Sequence, residues 1–111
     1  MTATWPRPRR TFVRRGELRR YIRPSTPERL RTVVIMSSDG INESPRPWLL
    51  GIELRERDPG DILAVSVTGH GWSYAGDLSK LYRAWTGDLL GELDSATLTR
   101  LDGALRAALD L

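Results

Sequence analysis

Thr32-Val33-Val34-Ile35-Met36 is apolar from its second position on and rich in β-branched side chains. A run this short, without polar alternation, has to be buried on both faces, so it predicts a central strand. The segments around it are cut to matching lengths by turn formers. Glu17 to Ile22 predicts a strand closed by Pro24, and residues 23–30 read as a loop because of Pro24, Ser25, Thr26 and Pro27. Trp48 to Leu54 predicts a second buried strand, and Ile62 to Thr68 a third with Leu63, Val65 and Val67 on one face. Gly69 to Gly76 reads as a connection, and Asp77 to Trp85 as a returning strand.

The period changes near the C-terminus. Asp94 and Ser95 are good N-caps, and Leu98, Leu101, Leu105 and Leu109 follow at helical spacing, predicting a helix over residues 95–109. Its apolar stripe must lie on the sheet or on a partner. About five strands and a terminal helix predict a small, mostly antiparallel β domain closed by one helix. At 111 residues this is one domain. Residues 1–11, with Pro6 and Pro8, read as a flexible basic arm ahead of a domain spanning residues 12–111.

Charge is strongly polarised along the chain. The first 31 residues hold ten arginines against Glu17 and Glu28, a net +8. The other 80 residues hold seven basic and twelve acidic residues, a net −5. Arginine's planar fork matches phosphate oxygens, so nucleic acid is the first partner to expect. A solvated basic tail is the plainer alternative.

Several chemistries are excluded by composition. With no cysteine and one histidine, His70, there is no disulfide framework, no thiolate and no ordinary zinc site. Gly71-Trp72-Ser73-Tyr74-Ala75 misses the serine-hydrolase elbow at its last position. Gly69-His70-Gly71 opens like a dinucleotide fingerprint, but Tyr74 stands where the third glycine belongs. No apolar run approaches a membrane span, and Met1 to Arg10 carries no apolar signal core.

An ordered set of short pieces carries a family resemblance. Arg15-Gly16-Glu17-Leu18 is followed by a loop with Glu28, then by Arg31-Thr32-Val33-Val34-Ile35-Met36-Ser37-Ser38-Asp39 and Asn42. Gly71-Trp72, Leu81-Tyr82-Arg83-Ala84 and Gly91 through Leu105 complete it. Over residues 12–111 this resembles the MazF/PemK toxins of toxin–antitoxin modules. The segment from Glu28 to Arg31 is two residues shorter than the family's, and Thr32 replaces a proline. The resemblance implies a small antiparallel, SH3-like barrel sheet of the MazF/CcdB type closed by a C-terminal helix. It implies a cytoplasmic homodimer that cleaves single-stranded RNA sequence-selectively, without metal or other cofactor, and is neutralised by a cognate antitoxin.

The same likeness assigns residues. Arg31 matches the catalytic arginine, and its place at the mouth of the most buried strand gives it a rigid base beside a wet loop. Glu28 matches the loop carboxylate, a proton acceptor if Arg29 and Arg31 leave it basic enough. Glu53 stands where the family has Thr or Ser donating a proton to the leaving group. Three readings of Glu53 stay open: an acid or base working with Glu28 and Arg31, a charge that repels the phosphate, or a surface pair with Arg55. Ser37, on Arg31's face by the two-residue period, is a substitute hydroxyl. Histidine titrates near neutrality, but His70 sits in a loop that the family does not use for catalysis. Arg15, Arg19, Arg20 and Arg29 are the candidate phosphate contacts, and Tyr21 and Trp72 the candidate base-stacking rings. Alternative readings are a non-catalytic relative that binds nucleic acid or protein, and a CcdB-like gyrase poison. The second needs a tryptophan near the end, where this chain has Ala108-Leu109-Asp110-Leu111.

Overall fold

The computed structural model describes residues 13–111; the basic arm expected over residues 1–11 lies outside them. Seven strands form: β1 (Glu17–Tyr21), β2 (Arg31–Ile35), β3 (Trp48–Glu53), β4 (Ala64–Val67), β5 (Gly71–Tyr74), β6 (Ser79–Tyr82) and β7 (Thr86–Glu92). A one-turn helix α1 (Asp39–Asn42) follows β2, and α2 (Ser95–Leu109) closes the chain. Five strands make an antiparallel sheet in the order β6-β3-β2-β1-β7, and β4 and β5 form a separate hairpin. Among the described residues the sheet is open, because β6 and β7 are its two edges. The expected antiparallel, barrel-like sheet is present in this open form, with the hairpin beside it and a bridge between Arg55 and Trp72.

The central place of β2 follows from its composition. Val34 and Met36 pack on one face with Leu18, Ile52, Val65, Val67, Leu101 and Leu105. Val33 and Ile35 pack on the other with Val13, Tyr21, Leu49 and Leu81. Thus β2 is buried on both sides, and α2 and the β4–β5 hairpin cover only the first face. Asp94 caps α2, its carboxylate accepting the Thr97 N–H at 2.7 Å. Leu101 and Leu105 are the buried residues of the predicted stripe, while Leu109 is exposed.

Gly51 is required where β3 passes between β2 and β6. A Cβ there would meet the Val34 carbonyl oxygen at 2.4 Å and Leu81 Cδ1 at 2.6 Å. Arg83 ties down the loop after α1: its Nε donates to the Arg46 carbonyl and its Nη1 to the Asn42 carbonyl, each at 2.9 Å.

Candidate active site

Arg31 begins β2, and Val33 lies opposite Glu53 of β3. Residues two apart on a strand share a face, so Arg31 and Glu53 meet as diagonal neighbours. Arg31 Nη1 donates to Glu53 Oε1 at 2.7 Å. The arginine side chain is 17% exposed and the glutamate 34%. Among the described residues Arg31 Nε is buried without a hydrogen-bond partner. One side of the guanidinium is thus committed to Glu53, while the rest remains to be engaged.

The pair opens into a cleft of about 780 Å³ between the start of β2 and the loop leaving β3. Arg29, Arg31, Arg55 and Arg57 line it together with Glu53, Glu56, Asp58 and His70. A second hollow of about 330 Å³ is lined by Tyr21, Arg23, Glu53, Arg55 and Asp77, so Glu53 borders both. Guanidiniums on the wall of a polar cleft suit a polyanion.

Of the three readings of Glu53, the surface pair with Arg55 does not form. Arg55 instead makes a two-pronged pair with Asp77, at 2.7 Å through Nε and 2.9 Å through Nη2. That hydrogen-bonded carboxylate raises the Arg55 pKa above its ordinary value. Arg55 also stands over the Tyr74 ring at 5.0 Å, and the Tyr74 hydroxyl donates to Asp61 at 3.3 Å. The charge of Asp61 is the main cause that raises the Tyr74 phenol pKa. Cross-strand register decides the outcome: it presents Arg31, not Arg55, to Glu53.

Glu28 and Ser37 are not brought to this cleft. Glu28 is exposed in the β1–β2 loop and does not line it, so the expected Glu28/Glu53/Arg31 trio is not assembled. Ser37 follows the opposite end of β2, where its buried hydroxyl bonds Asn42 Oδ1 and its carbonyl accepts from Asn42 Nδ2 at 2.9 Å. It shares Arg31's face by alternation but closes the α1 turn.

The expected nucleic-acid residues separate too. Arg29 is exposed on the cleft wall. Arg15 binds the Met36 carbonyl at 3.2 Å and pairs with Asp102 of α2. Arg19 pairs with the buried Glu17 at 3.1 Å and reaches the Gly87 carbonyl at 3.2 Å. Arg20 is half-buried, opposite Thr32. Tyr21 is 2% exposed, and its hydroxyl accepts the Tyr82 N–H at 2.9 Å, so its ring is core rather than a stacking platform. Trp72 is half-buried in β5 and does not line the cleft. Arg57, in the charged turn after β3, lines the cleft without having been singled out from the sequence, and Arg55 had been weighed only as a partner for Glu53.

The sequence matches no protein-family model and no curated protein. Solved structures do match. A mycobacterial endoribonuclease superposes with a TM-score of 0.75 at 22% identity, over 90% of this chain and 93% of that one. A mycobacterial endoribonuclease in complex with its cognate antitoxin gives 0.77 at 22% identity, over 91% and 96%. A MazE–MazF complex from Deinococcus radiodurans gives 0.77 at 18% identity, over 90% and 98%. The chain has the MazF fold. Arg31 and Glu53, the two residues singled out from sequence that meet each other, both line the cleft. Among the described residues no cluster of three metal-ligating side chains occurs, and no helix is long and apolar enough to cross a membrane.

Proposed function

We propose that this protein is an endoribonuclease toxin of the MazF type, cleaving single-stranded RNA sequence-selectively and without metal, and silenced by a cognate antitoxin. The observation that carries this reading is the Arg31–Glu53 pair on the wall of an arginine-lined cleft. The fold supports it, since the matching structures are endoribonucleases, some solved with their antitoxins.

RNA supplies its own nucleophile, the 2′-hydroxyl beside the scissile phosphate. Cleavage needs that oxygen in line with phosphorus, its proton removed, and the five-coordinate phosphorane's charge balanced. Glu53 is the proton acceptor in this reading, and Arg31 faces the developing charge while holding the carboxylate in place. Arg29 and Arg57 line the same cleft and serve the flanking phosphates. The protein acts as a homodimer in the cytoplasm, where the RNA and antitoxin are met. Glu28 and Ser37 are left out of this reading because neither lines the cleft.

Purified protein incubated with mixed single-stranded RNA and a chelator tests the reading. Discrete fragments ending in 2′,3′-cyclic phosphate and 5′-hydroxyl are expected, with none from Arg31→Ala. Expression in a bacterial host arrests growth, and co-expression of the antitoxin restores it. RNA left intact by the wild-type protein overturns the enzyme. One observation favours a second reading, a non-catalytic RNA binder: Glu53 occupies the arginine that a phosphate would seek. Salt-dependent RNA retention without cleavage is its signature.

A further inference from the structure

Glu53 has a second arginine close by on its own strand. The Leu54 N–H donates to the Thr32 carbonyl at 2.9 Å, and Arg55 exchanges both backbone hydrogen bonds with Trp72 at 2.8 Å, so the backbone stays paired beyond Glu53. Residues two apart on such a segment share a face, which puts Arg55 on the side of the sheet where Arg31 meets Glu53. Glu53 and Arg55 accordingly border the same hollow of about 330 Å³. Yet Arg55 is turned onto Asp77, its Nε and Nη2 donating to the two carboxylate oxygens at 2.7 and 2.9 Å. We propose that Asp77 is a positioning residue of the active site: by holding Arg55, it leaves Glu53 to Arg31 and able to take a proton. The inference rests on the endoribonuclease reading above.

Asp77 is well placed to hold a cation. It ends a single 3₁₀ turn, Ala75–Asp77, between β5 and β6. Ala75 is buried in the core, its N–H donating to the Leu63 carbonyl at 3.3 Å. The Leu78 N–H closes the turn on the Ala75 carbonyl at 3.2 Å, and Ser79 then pairs with Gly51 of β3. Both ends of the turn are thus fixed on the fold. Arg55 is held as firmly, by Trp72 at its backbone, by the Tyr74 ring at 5.0 Å and by Asp77 at its fork. A two-pronged carboxylate–guanidinium pair is stronger and more directional than a single contact, so Asp77 holds Arg55 against the pull of Glu53.

Removal of Asp77 ends that hold. The carboxylate on Arg55's own face of β3 is then Glu53, and the freed fork turns to it. A carboxylate that accepts from two guanidiniums keeps its charge more firmly and takes the 2′-hydroxyl proton less readily. The loss falls on kcat rather than KM, because the proton moves only after RNA is bound.

Cleavage of an RNA oligonucleotide around a site that the wild-type protein cuts, measured from limiting to saturating RNA, tests the role. Asp77→Ala is expected to lower kcat about tenfold, less than the roughly 10²–10⁴-fold loss that follows removal of a base itself. Asp77→Asn, which keeps the shape of the turn, is expected to act in the same direction. Adding Arg55→Gln to either variant is expected to recover most of the lost kcat, which the loss of a merely structural prop would not allow. A crystal structure of Asp77→Ala is expected to show the Arg55 guanidinium on Glu53. Double variants as slow as the single ones, single variants with wild-type kcat, or an Arg55 that stays over Tyr74 or turns to Asp61 would each overturn the positioning role while the nuclease stands. Wild-type protein that cuts no site in mixed RNA overturns the endoribonuclease reading itself, and the role with it.

Discussion

Arg31 Nη1 and Glu53 Oε1 lie 2.7 Å apart, joining the first residue of β2 to the last of β3. The pair is diagonal across two hydrogen-bonded strands, so the backbone fixes both ends of it. A guanidinium held this way loses little orientational freedom when a phosphate arrives, which is how preorganised charge lowers a barrier. The same pairing sets up a competition in the proposed reaction: phosphate and Glu53 would both seek Arg31, and transfer of the 2′-hydroxyl proton to Glu53 would resolve it by neutralising the carboxylate.

Arg31→Ala is therefore expected to cost about 2.7–4 kcal/mol of barrier, roughly 10²–10³ in rate. Thermal stability changes little, because Glu53 is 34% exposed and water screens it once its partner has gone. Single-turnover cleavage beside a melting curve checks both parts. A large fall in melting temperature matched by the activity loss would assign Arg31 to folding instead.

Salt dependence tests the cleft as an RNA groove. Binding of a 2′-deoxy analogue, which lacks the nucleophile, leaves the wild-type cleft unaltered and the ligand uncut. Its log affinity is expected to fall linearly with log salt, and Arg57→Ala to flatten the slope by about 0.7 for one lost phosphate contact. Arg29→Ala, on the same wall, is expected to act alike. An unchanged slope in both variants would place the RNA elsewhere.

Gly51→Ala probes the packing that aligns β3. Its new methyl group meets backbone on one side and Leu81 on the other, at 2.4 and 2.6 Å, and the backbone cannot yield cheaply. Overpacking of this kind costs about 1–3 kcal/mol. At roughly 4–8 °C per kcal/mol for a small domain, the melting temperature is expected to fall visibly. Gly103→Ala, where nothing lies within 4 Å of the added carbon, is the control and is expected to be no less stable than wild type.

Much of this fold was legible because its signals are local. The β-branched run gave β2, and Asp94 with the leucine period gave α2 at the residues observed, Ser95–Leu109. β7 was missed because it is an edge strand, mostly exposed, with Gly87, Asp88 and Gly91 interrupting its alternation. β5 hid in a glycine-rich stretch and exists through its pairing with β4, from Ala64 opposite Tyr74 to Val67 opposite Gly71. The site was half legible for the same reason. Arg31 could be found from its place at the start of the β2 run, but its pairing with Glu53 depends on which strands become neighbours and in which register, and that is settled only in the folded sheet. His70 was read in a glycine turn, and the structure places it there, between Gly69 and Gly71 at the tip of the β4–β5 hairpin.

The cap of α2 gives the protein an acid-sensitive contact away from the cleft. The Asp94 carboxylate accepts the Thr97 N–H, and that hydrogen bond is the largest cause lowering its pKa from 3.8. A carboxyl depressed in the folded state stabilises that state at pH above its unfolded value, because the folded chain binds the proton less readily. The contribution is lost as pH falls through the lower, folded value. Asp94→Asn keeps a capping oxygen but cannot titrate. Wild type is thus expected to melt higher than Asp94→Asn at neutral pH, with the difference shrinking as pH falls through the lowered, folded value. Asp94→Ala, without any cap, is expected to melt below both at neutral pH. Melting curves of the three proteins across that range check the sign. A wild-type advantage that persisted undiminished in acid would mean that the charge on Asp94 contributes nothing and that its geometry alone holds the helix end.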